Sequence, residues 1–90
     1  MTQLRDNPAA GRLEMEEAGQ IVFADYRLAG GRLIVDHVEA PVALRGSGAA
    51  GRFMEALAAW ARSRSLKITP LCGYAASWLS RSPANRDLTA

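Results

Sequence analysis

The chain is poor in cysteine and histidine, with one of each among 90 residues. A single thiol closes no internal disulfide, so a reducing, cytoplasmic setting is the expectation. One histidine without a cluster of further Cys, Asp or Glu leaves out the usual ligand sets, and no metal site is expected. No apolar run approaches the roughly 20 residues of a membrane helix, and the opening Met1 to Asp6 lacks the apolar core of a signal peptide. Basic runs are missing, and no aromatics are interleaved with the arginines, which argues against nucleic acid as a partner. Internal repeats and linkers are also absent. What remains is an ordinary globular composition, 49% apolar and 22% charged, and the expectation is one domain over 1–90 with a modest core.

The net charge of +2 is unevenly spread. Residues 1–41 carry four arginines against seven carboxylates, a net of −3. Residues 42–90 carry six arginines and one lysine against two carboxylates, a net of +5. The cationic half suits a phosphate-bearing ligand, although a solvated arginine-rich surface has the same composition.

Residues 1–10 read as a loose lead-in, with Asn7-Pro8 favouring a turn. Leu13 and Met15 alternate with charge over 12–17, a half-buried strand. Ala18-Gly19 turns the chain into a second strand from Gln20 to Leu28, with Ile21 and Phe23 on one face and Val22, Ala24 and Tyr26 on the other. Gly30-Gly31 is a hairpin signal, and Arg32 to Glu39 forms a third, β-branched strand. Pro41 marks an interruption or bulge near its end. Ala49 to about Ser65 predicts an amphipathic helix, with Phe53, Leu57, Trp60 and Ala61 on its apolar stripe. A short strand over 66–72 and a helix over 75–81 follow, and the polar tail from Ala84 is expected to fray. The order β-β-β-α-β-α gives an α+β fold with a mainly antiparallel sheet and two helices.

Between the strands and the long helix lies Arg45-Gly46-Ser47-Gly48-Ala49-Ala50-Gly51. Glycines let the backbone approach a ligand closely, and a helix starting there aims its free N–H groups and positive dipole end into the loop. Gly46, Gly48 and Gly51 spell G-x-G-x-x-G, but the following strand carries no acidic residue for a ribose, so a dinucleotide site is disfavoured. No Gly-Lys-Ser/Thr follows, which excludes a P-loop.

Arg45 to Ala50 fits the R/Q-x-x-G-x-G/A pattern and resembles the pyrophosphate loop of GNAT N-acetyltransferases. Asp6-Asn7-Pro8, His37 to Pro41, Leu44 to Gly48, and Pro70-Leu71-Cys72 before an aromatic-bearing helix come in the order of one branch. The chain is thus similar to the compact single-domain GNAT-like (YidJ/NATD-type) acetyltransferases. The resemblance implies a GNAT-like fold, acetyl-CoA as cofactor, and transfer of an acetyl group to a primary amine on a small molecule or a peptide. Leu44, Arg45, Gly46, Ser47, Gly48, Ala49 and Ala50 then hold the cofactor, with Arg45 on a phosphate oxygen and the Ser47 hydroxyl as a further donor. Ala49 stands where many relatives carry a branched apolar residue.

The resemblance also places Cys72 near the acetyl end, as a nucleophile or as a packing neighbour of the thioester. Its position before a helix N-terminus favours thiolate. Glu39 and His37 share a face of the third strand, and either is a candidate base, Glu39 the better. Tyr74 is a candidate acid for the leaving thiolate and a cofactor contact. Trp60, Phe53 and Leu57 read as core, and Trp78 as packing the second helix on the sheet. Two other functions fit the same residues: a CoA-binding module with little turnover, and an interaction domain whose partner covers a sheet edge. A monomer and a homodimer are both compatible with the sequence.

Overall fold

A computed structural model describes residues 3–89. Met1, Thr2 and Ala90, the extreme ends of the expected lead-in and tail, lie outside the described residues. Strands β1 (Arg5–Asn7), β2 (Arg12–Glu17), β3 (Gln20–Ala29), β4 (Arg32–Glu39) and β5 (Lys67–Pro70) form one five-stranded sheet in chain order. The first four are antiparallel, and β5 runs parallel to β4 after the crossover helix α1 (Ala49–Ser63). Helix α2 (Gly73–Ser80) and two 3-10 turns, Val42–Leu44 and Pro83–Leu88, complete the α+β architecture.

Period-two alternation fixes which sheet face is covered. Leu13 and Met15 of β2, Val22 and Ala24 of β3, and Leu33 and Val35 of β4 are all buried. Against them α1 lays Phe53, Met54, Leu57, Ala58 and Ala61, spaced at helical period, and these five are buried too. Each fully buried Leu, Phe or Met contributes about 1.5–3 kcal/mol, so this seam dominates the stability. The β2–β3 and β3–β4 hairpins close through pairs of left-handed residues, Ala18-Gly19 and Gly30-Gly31, whose twist matches the strands.

The opposite face carries charge. Arg5 pairs with Glu14, Arg12 with Asp25 and Arg27 with Asp36, stepping across four strands. Arg12 also stacks its guanidinium 3.9 Å from the centre of the Phe23 ring.

Several elements differ from the sequence reading. The lead-in contains a strand, because β1 pairs with β2 and Asp6 accepts a hydrogen bond from the Tyr26 hydroxyl at 2.5 Å. The tail from Ala84 is held rather than frayed: Leu88 is buried, and Arg62 of α1 donates to Asp87, Ala84 and Asn85. Trp60 is half-buried at the rim of the core, edge-on to Tyr26 and with the Arg64 guanidinium over its ring. The bulge sits ahead of Pro41. The β3–β4 register steps from Tyr26↔Val35 to Asp25↔His37, leaving Asp36 as the extra residue of β4.

Candidate active site

The loop expected to hold a phosphate is built from the inside outward. Buried Leu44 pins the end of the 3-10 turn to the core. Gly46 and Gly48 then adopt φ of +80° and +85°, backbone that a β-carbon disfavours by about 1–2 kcal/mol. Gly48 is the N-cap of α1. Ser47 braces the turn: its N–H donates to Leu44 O at 3.1 Å, and its hydroxyl donates to the same oxygen at 2.5 Å. The hydroxyl also accepts from the Ala49 N–H at 3.3 Å. Ser47 thus spends both its hydroxyl and its N–H on the turn, the two donors that the sequence offered to a ligand.

The loop's unspent donors are elsewhere. Among the described backbone hydrogen bonds, the N–H groups of Gly46, Gly48, Ala50 and Gly51 donate to nothing. The last two belong to the first turn of α1, where no intrahelical acceptor exists. The Arg45 side chain has no ion pair or hydrogen bond among the described residues. Unspent N–H groups, the positive end of a 15-residue helix and the Arg45 guanidinium are gathered at one mouth, an arrangement that favours negative charge.

That mouth opens on two adjoining clefts. The first, about 280 Å³, is lined by the loop, Ala40 and Tyr74. The second, about 310 Å³, is lined by His37, Val38 and Glu39, and shares Ala40, Arg45, Ala50 and Tyr74 with the first. His37 Nε2 and Glu39 Oε1 stand 3.0 Å apart at the end of β4, both half-exposed. The bulge at Asp36 puts them there. It shifts the alternation so that Val38 is buried with Val35, and His37 and Glu39 turn toward the cleft. Tyr74, in the first turn of α2, lines both clefts, that of the loop and that of His37 and Glu39.

Cys72 lies at the point where β4 and β5 part. Val35 O accepts from both Leu71 and Cys72, at 2.9 and 3.3 Å, and the β4–β5 pairing ends at Val35↔Pro70. Cys72 is the N-cap of α2. Partial burial pushes its thiol up, but the N–H groups of Ala75, Val38 and Tyr74 outweigh this and hold its pKa below the ordinary value. It lines neither of the two clefts, yet it touches residues that do: Val38 of β4 and Tyr74 of α2.

The structure therefore brings Leu44, Arg45, Gly46, Gly48, Ala49, Ala50 and Tyr74 around one cleft, with His37 and Glu39 in the next. Three lining residues escaped the sequence reading. Ala40 and Val38 offer no chemical signal, since they act through position alone. Gly51 did offer one: a glycine in the first turn of a helix lowers helix stability and so points to another use. Among the described residues, no group of three His, Cys, Asp or Glu is placed to hold a metal ion. No helix of the described residues is long and apolar enough to cross a membrane.

A family model described as GCN5-related N-acetyl-transferase matches residues 12–88. The match runs from β2 to the C-terminal 3-10 turn and takes in the loop, both clefts and Cys72. No curated protein matches the chain.

Proposed function

The chain is a member of the GCN5-related N-acetyltransferase family, and on that premise we propose that it moves an acetyl group from acetyl-CoA to a primary amine. The observation that carries this reading is the set of unspent N–H groups at Gly46, Gly48, Ala50 and Gly51 beside the free Arg45, next to a cleft holding His37 and Glu39. A pyrophosphate needs donors and positive charge in that arrangement, and an incoming amine needs a proton acceptor one cleft away. Membership of the compact YidJ/NATD-type branch is part of the proposal, supported by the order of motifs and the cysteine after β5.

The cofactor supplies an activated acyl group; the residues do the rest. Gly46, Gly48, Ala50 and Gly51 hold the pyrophosphate, with Arg45 on its oxygens. Glu39, paired with His37, takes a proton from the amine as its nitrogen bonds to the carbonyl carbon. Tyr74 returns a proton to the departing thiolate. An alternative route passes through Cys72: its sulfur takes the acetyl group with loss of the CoA thiolate, and the amine then displaces the cysteine thiol.

A second reading, a CoA-binding module with little turnover, draws on the exposure of His37 and Glu39, which stand open to solvent instead of in a water-excluded pocket. Calorimetry with acetyl-CoA, followed by intact mass, tests both. Binding that is lost in Gly48→Val supports the loop, and a gain of one acetyl group that disappears in Cys72→Ala supports the relay. Binding without turnover on a panel of small amines and peptide N-termini favours the module. An absence of binding by the wild-type protein refutes the cofactor site.

A further inference from the structure

We propose that the acceptor is a small aminocarboxylate, a free amino acid whose amine meets Glu39 and whose carboxylate meets Arg45. The inference rests on the acetyl transfer proposed above and names the class of acceptor for it.

The cleft that holds His37 and Glu39 measures about 310 Å³ and is also bounded by Ala40, Arg45, Ala50 and Tyr74. That volume lies at the lower end of the roughly 300–1,000 Å³ of ligand sites, so it suits a small molecule. Its lining is dipolar. Glu39 supplies a carboxylate from the end of β4, and Arg45 supplies a guanidinium from the turn before α1. Ala40 and Ala50 add only methyl groups, so the charge of the cleft comes from these two residues and His37.

Elsewhere in the molecule such charges are matched. Arg5, Arg12, Arg27, Arg52 and Arg62 are each held by a carboxylate. Arg45 is exposed and pairs with no carboxylate among the described residues. Glu39 Oε1 faces His37 Nε2 at 3.0 Å, and among the described residues no Lys or Arg pairs with it. Glu39 and Arg45 share one small cleft yet do not pair with each other, which leaves room between them for a ligand that carries both charges. An ammonium group donates to Glu39, and a carboxylate accepts from the guanidinium fork. A diamine would bring its second cation to Arg45 and be repelled, and an amide would bring a neutral group there. The pyrophosphate does not exhaust Arg45, because the backbone N–H groups of the loop serve it and a guanidinium has donors on more than one edge. Arg45 lines both clefts, the placement that such sharing requires.

The transfer forms a C–N bond and breaks the C–S bond of the thioester. The ammonium of the amino acid and acetyl-CoA become an N-acetyl amino acid, the CoA thiol and one released proton, which Glu39 takes first. The product keeps its carboxylate and has lost its positive end, so Glu39 no longer attracts it and release is favoured.

The single histidine makes this cleft observable without any cofactor. Glycine, β-alanine and 4-aminobutyrate, each beside its amide and the diamine of matching length, are titrated into the cofactor-free protein at fixed pH. The imidazole proton shifts of His37 are followed by NMR. At the best-fitting length the carboxylate is expected to bind about fivefold more tightly than the amide, with the diamine weakest. Arg45→Gln should erase that preference, and Glu39→Gln should weaken all three ligands together. Arg45 is exposed and has ordinary extended backbone, so its replacement leaves the fold intact. Equal binding of carboxylate and amide at every length, a preference for the diamine, or a preference that survives in Arg45→Gln overturns the inference. Turnover with acetyl-CoA on the same ligands separates it from the wider reading. Acetylation of diamines or amides ahead of the amino acids sinks this acceptor and leaves the acetyltransferase standing. The binding preference in a protein that takes up no acetyl-CoA keeps the aminocarboxylate site and sinks the cofactor site.

Discussion

Gly51→Ala should raise stability and lower cofactor affinity at once. Gly51 occupies the third helical position of α1, and its φ is not positive, so an L-residue fits the backbone. The added β-carbon meets only Trp78 Nε1 at 3.8 Å, ordinary van der Waals contact. Replacing glycine by alanine in a helix gains about 0.5–1 kcal/mol, chiefly by removing freedom from the unfolded chain. For a domain of this size that is a rise in Tm of roughly 2–8 °C. The same methyl group enters the lining of the loop cleft, beside an N–H group to which the proposed function gives a phosphate. Affinity for acetyl-CoA should therefore fall several-fold. Thermal unfolding followed by circular dichroism and titration calorimetry on the same preparation read the two effects. A lower Tm would show that the helix start is strained in a way the contact distances do not reveal. A higher Tm with unchanged affinity would remove Gly51 from the ligand path, and with it the reason for a glycine in this turn.

Leu88→Ala should cost about 2–5 kcal/mol in urea denaturation, because Leu88 is buried and carries the C-terminal turn onto the core; a loss under about 0.5 kcal/mol would mean that the turn packs weakly. Tyr26 gives a pH signature. Burial first, then its hydrogen bond to Asp6, pushes its pKa up to about 12, so one of the two tyrosines should ionise late in an absorbance titration. The folded state keeps the neutral phenol, so this contribution to stability is complete below about pH 10, the unfolded value, and is lost between about 10 and 12. Asp6→Ala should move the transition to lower pH, and an unchanged curve would argue against the contact.

The parts of the fold written in period were legible in the sequence. Leu13 and Met15, Val22 and Ala24, and the Phe53–Leu57–Ala61 stripe have spacings that admit one reading, and the structure has the corresponding strands and helix. The glycine loop and the helix start at its end were legible because glycine and arginine at a strand-to-helix junction have few other reasons to coincide. What escaped notice depends on distant partners. β1 is three residues long and exists through its pairing with β2, and Leu88 is buried because Arg62 and the α1 surface are there to receive the tail. The bulge was misplaced for a similar reason: Pro41 is visible in sequence, while an extra residue at Asp36 shows only against β3. Ser47 invited a ligand role by its chemistry, and local geometry spent its hydroxyl on Leu44.

The proposed phosphate cradle is made mostly of atoms that every amino acid carries. Four of its donors are main-chain N–H groups, on residues with a methyl side chain or none. Truncation to alanine, the usual way of finding a binding site, would pass over Ala49 and Ala50 by definition and would register Arg45 alone as a side-chain ligand. A survey by deletion would thus credit the site to its arginine and undercount the rest. Such a site is mapped instead by adding bulk: a screen that enlarges residues 46–51 one at a time would outline it as the set of positions where volume, rather than chemistry, abolishes binding.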